Sequence, residues 1–161
     1  MLTKREIYDL LEREGIVCER VEHEPVYTVE EAAALQLPYP EAGAKNLFLR
    51  DDKKREYLLL VLRDDQQADL RAVQARAGTR RLSFASEEDL GRMLGVRPGA
   101  VTPLGALNDP ERRMRVLIDS RFAGKHIWVH PCENTASVYL AGNDLLRLLE
   151  KKGIPVEWID L

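Results

Sequence analysis

At 161 residues with 45% hydrophobic content, the chain has enough apolar side chains for a core and reads as one domain over residues 1–161. Its net charge of −3 argues against tight, non-specific nucleic-acid binding, which rests on phosphate neutralisation, while leaving room for a local basic face. Two separated cysteines, Cys18 and Cys132, make no disulfide framework and point to a reducing cytoplasm, and no run of about 18 apolar residues is present to span a membrane.

Thr3-Lys4-Arg5-Glu6 has the form of a capping box and predicts a helix over 4–14, closed by Gly15, with Ile7, Leu10 and Leu11 on one buried stripe. Cys18 to His23 alternates like a strand. Thr28 opens a second short helix through Leu35, and Pro38 and Pro40 stop it. From Pro38 to Ala44 the chain is a proline- and glycine-containing loop, expected to be mobile and of the kind that lines sites. Strands predicted over 46–50 and 57–62 form a hairpin around the charged turn Asp51-Asp52-Lys53-Lys54-Arg55. A helix over 69–77 closed by Gly78, a strand over 80–84 and a helix opened by Ser86 and ended by Gly95 follow. Gly95 to Gly105 carries three glycines and two prolines in 11 residues and is expected to be a shaped loop without regular structure. Strands over 115–119, 126–130 and 137–140 precede a helix over 143–152, whose apolar face is Leu145, Leu146, Leu148 and Leu149, and a short extended segment over 156–159. The mixture predicts an α+β fold with a central mixed β-sheet flanked by helices.

The hairpin fixes Lys45 at a strand entrance, where an ammonium on rigid backbone can meet phosphate or carboxylate as a point charge; a solvated loop lysine is the other reading. His130 and Cys132 would share a strand face, but Pro131 disturbs that geometry, which disfavours a thiol nucleophile. His23, His126 and His130 with two cysteines offer no C-x-x-C and no H-E-x-x-H, so no metal site is expected. The P-loop pattern G-x-x-x-x-G-K-[ST] is absent as well. Gly99 to Pro103 reads either as backbone presented to a ligand or as an ordinary surface turn. His130 is either a pocket group or a core histidine hydrogen-bonded across the last hairpin.

Taken in order, His23-Glu24-Pro25-Val26-Tyr27-Thr28, Gly43-Ala44-Lys45-Asn46-Leu47-Phe48-Leu49, Gly99-Ala100-Val101-Thr102-Pro103-Leu104 and Trp128-Val129-His130-Pro131-Cys132-Glu133-Asn134-Thr135-Ala136-Ser137 form a recognisable set. The set resembles the editing-domain family of prolyl-tRNA synthetase and its free-standing relatives, the YbaK-like aminoacyl-tRNA deacylases. Within that family it looks most like the single-domain alanyl-tRNA(Pro) deacylases. The resemblance implies a trans-editing hydrolase without a cofactor, acting on mischarged Ala-tRNA(Pro), with the tRNA(Pro) acceptor end as partner and prolyl-tRNA synthetase as a further candidate partner.

An aminoacyl ester is already activated, so orienting a water and polarising the carbonyl suffices, and no covalent nucleophile is required. On that footing Lys45, His130 and Gly99 are the catalytic candidates: Lys45 anchors the terminal phosphate, while His130 and the loop backbone position the aminoacyl end and the water. Thr28, Asn46, Ala100, Val101, Pro103, Asn134, Thr135, Ala136 and Ser137 are the substrate-binding candidates; the small Ala136 and Ser137 suggest a shallow pocket that admits a methyl group and crowds a ring. Arg50, Arg80 and Arg81 are candidates for the tRNA, since arginine pairs bidentately with guanine or phosphate. A cysteinyl-tRNA(Pro) deacylase of the same family and a non-catalytic module that binds synthetase or tRNA stand as alternatives.

Overall fold

In the computed structural model, which describes residues 1–161 apart from the side chain of Val29, the capping residues set the first helices as the sequence dictates. Thr3 accepts from the Glu6 N–H while Glu6 accepts from the Thr3 N–H, starting α1 (Lys4–Arg13), which buries Ile7, Leu10 and Leu11. Strand β1 (Cys18–Glu22) leads to α2 (Val29–Ala34), capped by the Thr28 hydroxyl on the Glu31 N–H. Gln36 and Tyr39 then take left-handed φ angles of 51° and 57°, and a 3-10 turn over Pro40–Ala42 delivers the chain to β2 (Ala44–Asp51). A hairpin joins β2 to β3 (Tyr57–Arg63), in a register that sets Lys45 opposite Leu62.

Helix α3 (Leu70–Ala77) runs between the Asp69 cap and a left-handed Gly78, ahead of the short β4 (Leu82–Phe84). The predicted strand over 80–84 is therefore shorter, and Arg80 and Arg81 precede it rather than belong to it. Ser86 caps α4 (Glu87–Asp89), which widens into a π-turn over Leu90–Leu94 and ends at Gly95. The punctuated stretch after it is not wholly irregular: Thr102 caps a 3-10 helix over Pro103–Asn108, proline being tolerated in a first helical turn where its missing N–H is not needed. Strands β5 (Met114–Asp119), β6 (His126–Val129) and β7 (Ala136–Ala141), helix α5 (Gly142–Lys151) and β8 (Val156–Ile159) complete the chain.

Five strands form a mixed sheet in the order β4-β2-β3-β5-β8, antiparallel through β4, β2 and β3 and parallel through β3, β5 and β8. The sequence pattern did not suggest the second sheet, three antiparallel strands in the order β1-β7-β6. Strand β3 explains the layering. Leu59 and Val61 face a core shared with α1, α5 and the smaller sheet, through Ile7, Leu11, Leu149, Ile127 and Val138. Leu58, Leu60 and Leu62 face the other way, onto Val73 of α3 and Leu117. A continuous apolar run is what a strand covered on both faces requires, and each fully buried leucine contributes roughly 1.5–3 kcal/mol by removal from water. Among the described residues no helix is long and apolar enough to cross a membrane.

Candidate active site

Where the start of β2 meets the end of β6 and the α2 loop, the two sheets leave a cavity of about 450 Å³. Ala32 and Ala33 of α2, with Leu37 and Pro40, form one wall; Val26 to Thr28 and Gly99 with Val101 form another; Trp128 to His130 and Ser137 close the back. Lys45 and Asn46 both reach it, although alternation along a strand would send them to opposite faces, because the cavity lies over the strand's end. Lys45 is half-buried and, among the described residues, its ammonium enters no ion pair or side-chain hydrogen bond. Asn46 Oδ1 is buried with no donor.

His130 is fixed by two contacts. Its Nδ1 lies 2.9 Å from the Ala136 carbonyl, which can only accept, so Nδ1 carries the proton and Nε2 keeps a lone pair. Its own carbonyl accepts from the buried Thr102 hydroxyl at 2.6 Å, tying β6 to the Gly99 loop. Burial, above all, pushes the His130 pKa below the ordinary histidine value, with the nearby His23 acting in the same direction. A neutral imidazole with a free Nε2 at the cavity is the result.

The Gly99 loop approaches the opposite wall as only glycine can. Its φ is +89°, and a Cβ there would fall 2.9 Å from both Tyr27 Cα and Val26 O. Asn134 steadies the same wall, its Nδ2 donating to Val26 O at 2.8 Å. Behind it, His23 Nδ1 lies 2.8 Å from the Glu24 carbonyl and Nε2 lies 2.9 Å from Ser137 Oγ; in the neutral ring this makes Nδ1 the donor and Ser137 the donor to Nε2. Trp128 Nε1 donates to Pro38 O at 2.8 Å and so holds the loop after α2.

Of the residues singled out from sequence, Lys45, His130, Gly99, Thr28, Asn46, Val101 and Ser137 come together at the cavity. Ala100, Pro103 and Ala136 are buried outside its lining, and Ala136 contributes its carbonyl to His130. Of the small pair expected at the pocket, Ser137 lines it and Ala136 does not, and Ala32, Ala33, Gly43 and Ala44 supply further small wall. Thr135 faces α1, its Oγ1 accepting from Lys4 Nζ at 3.3 Å. Arg50, Arg80 and Arg81 lie toward the far end of β2: Arg50 binds Asp89 and Arg80 binds Asp52. Cys132 is no nucleophile, since burial pushes its thiol up to about 12. Asp64 was not marked by the sequence pattern; His23, Trp128 and Ser137 stood in its motifs, but the His23–Ser137 bond and the hold of Trp128 on Pro38 did not show there.

Residues 23–148 match the family described as the aminoacyl-tRNA editing domain. The "Prolyl-tRNA editing protein ProX" of Acetoanaerobium sticklandii is 39% identical over 142 residues, 88% of this chain and 87% of that protein. The "Prolyl-tRNA synthetase associated domain-containing protein 1" of Danio rerio is 36% identical over 151 residues, 92% of this chain and 82% of that one. A crystal structure described as a proposed trans-editing enzyme for prolyl tRNA synthetase superposes with a TM-score of 0.72 at 22% identity, covering 100% of this chain and 99% of the other, and shares its fold. The fold is that of the editing domains. The chain belongs to the aminoacyl-tRNA editing domain family, and with it to the aminoacyl-tRNA deacylases.

Proposed function

We propose that this protein hydrolyses the ester of mischarged Ala-tRNA(Pro) in trans, in the cytoplasm, with Lys45 holding the terminal phosphate. The observation that carries this reading is the half-buried Lys45 ammonium, held at a cavity on rigid strand backbone and unpaired among the described residues. A partly desolvated cation without a partner is costly, and it is accounted for if substrate supplies the anion. The relatives named for prolyl-tRNA editing support the choice of tRNA.

In this reading the 3′-terminal nucleotide lies along Lys45, and the aminoacyl carbonyl faces the backbone of Gly99 to Val101. His130 Nε2 accepts a hydrogen bond from the attacking water. Water oxygen adds to the carbonyl carbon, the ester C–O bond breaks, the ribose oxygen leaves with a proton, and the neighbouring ribose hydroxyl assists. Asn46 lines the cavity beside Lys45 and contacts the terminal nucleotide. The alanine-lined wall passes a methyl side chain and obstructs a proline ring.

Such a sieve is needed because a pocket built for a larger side chain rejects a smaller one by only about 1–3 kcal/mol per missing methylene. The test is release of labelled amino acid from Ala-, Pro-, Cys- and Ser-tRNA(Pro). Fast loss of alanine with prolyl ester intact is expected. Faster loss of cysteine would move the protein to the cysteinyl activity, and no release from any ester would leave a binding module.

A further inference from the structure

Among the cavity's lining residues, Lys45 carries the one fixed positive charge and Asp64 the one carboxylate. Asp64 follows directly after β3, and its N–H donates to Gly43 O at 3.1 Å, which clamps it across the strand entrance two residues from Lys45. The cations nearby are engaged elsewhere, Arg63 with Asp65 at 3.1 Å and Arg121 with Asp119 at 2.7 Å. Among the described residues the Asp64 carboxylate makes no ion pair and no side-chain hydrogen bond.

Gly43 marks where the carboxylate sits. Its backbone, φ −61° and ψ 135°, is open to any residue, so conformation does not call for glycine. What glycine spares is the carboxylate: a Cβ at Gly43 would fall 2.7 Å from Asp64 Cγ and push that side chain aside. Asp64 remains exposed, with its carboxylate lying over Gly43 at the strand entrance on the lining of the cavity.

We propose that Asp64 receives the α-ammonium of the aminoacyl group, making it the residue that selects esters with a free α-amine over N-acylated or α-hydroxyacyl ones. The inference rests on the deacylase reading above. A cavity with one cation and one anion, neither paired within the protein, matches a ligand that carries a phosphate and an ammonium. The other acceptor at hand, His130 Nε2, is neutral and accepts from a hydroxyl as readily as from an ammonium; a carboxylate favours the cation. An editor with this preference spares peptidyl-tRNA, whose α-nitrogen is an uncharged amide.

The experiment compares alanyl-, lactyl- and N-acetylalanyl-tRNA(Pro) as substrates of wild-type protein, Asp64→Asn and Gly43→Ala; the lactyl ester replaces the amine by a hydroxyl of nearly the same size. Wild type should favour the alanyl ester, and Asp64→Asn should lower kcat/KM for it by about 10- to 100-fold, as for loss of a charge-assisted hydrogen bond, while moving the lactyl ester by no more than about twofold. Gly43→Ala, which the backbone tolerates and whose methyl displaces the carboxylate, should shift the preference the same way. An unchanged alanyl-to-lactyl ratio in Asp64→Asn, with wild-type activity intact, overturns the role of Asp64 alone. A wild-type protein that hydrolyses no aminoacyl-tRNA overturns the deacylase reading and this proposal with it.

Discussion

At one end of β2, Lys45 and, across the hairpin, Asp64 stand in a cavity with no ion-pair partners among the described residues. At the other end Arg50, Asp51, Asp52 and Arg80 are engaged, while among the described residues the exposed Lys53, Lys54 and Arg55 of the turn, and Arg81, enter no ion pair. Arg50 holds Asp89 at 2.8 Å, Asp51 accepts from the turn N–H groups of Arg55 and Glu56 at 2.8 and 3.3 Å, and Arg80 grips Asp52 with two bonds of 2.6 and 3.0 Å. About 20 Å separates these ends, at roughly 3.3 Å of rise per residue. What sets Lys45 apart from the equally unpaired Lys53 and Lys54 is its place, half-buried at a cavity where those two are exposed.

The widest gap between the two ends should open with Lys45→Ala. No protein partner is lost, so the thermal midpoint should hold, while kcat/KM on Ala-tRNA(Pro) falls by about 100- to 1,000-fold, the scale for removing a preorganised electrostatic contact. Loss of less than about tenfold would take Lys45 out of the site. Arg50→Ala should do the reverse. It strips one cation from Asp89, whose side chain is 7% exposed and whose remaining cation is Arg92. Burial works to raise the Asp89 pKa, yet the Arg92 and Ser86 hydrogen bonds and the Arg50 charge outweigh it and hold the carboxylate low. A stability loss of about 1–3 kcal/mol is expected in denaturant unfolding, with unchanged turnover of a minimal aminoacyl ester per folded molecule. An unchanged midpoint with weakened tRNA use would make Arg50 an acceptor-stem contact instead.

The helical boundaries were legible because caps are local: Thr3 with Glu6, Thr28, and Asp69 with Gly78 each act within one or two turns. So was the hairpin that presents Lys45. The second sheet was not, since β1 pairs with β7 across most of the chain, as Cys18 opposite Leu140 shows. The site divides the same way. Lys45 and Gly99 could be picked out by unusual local settings, whereas the His23–Ser137 bond joins residues 114 apart and the Trp128–Pro38 bond residues 90 apart. Asn134 to Ser137 reads as one pocket motif, yet Asn134 braces Val26, Thr135 turns to α1, Ala136 serves through its carbonyl, and Ser137 alone lines the cavity. Nor does an arginine's sequence reveal which carboxylate will occupy it, and that decides how Arg50 and Arg80 are read.

Arg80 gives the smallest expected effect and the finest division between the two ends. Its pair with Asp52 is on the surface, and the Asp52 partner raises the guanidinium pKa. Arg80→Ala leaves Asp52 in water, so stability should scarcely move. If Arg80 also serves the acceptor end, phosphate and Asp52 compete for the same fork, and the two single variants should act with opposite sign. Arg80→Ala should raise KM for Ala-tRNA(Pro) and flatten its log–log salt dependence by about 0.7–0.9, the share of one phosphate contact. Asp52→Asn should lower that KM by releasing the fork, and neither should alter turnover of a minimal ester. Were both variants to weaken tRNA use equally, the pair would be acting as one structural clasp on the hairpin turn.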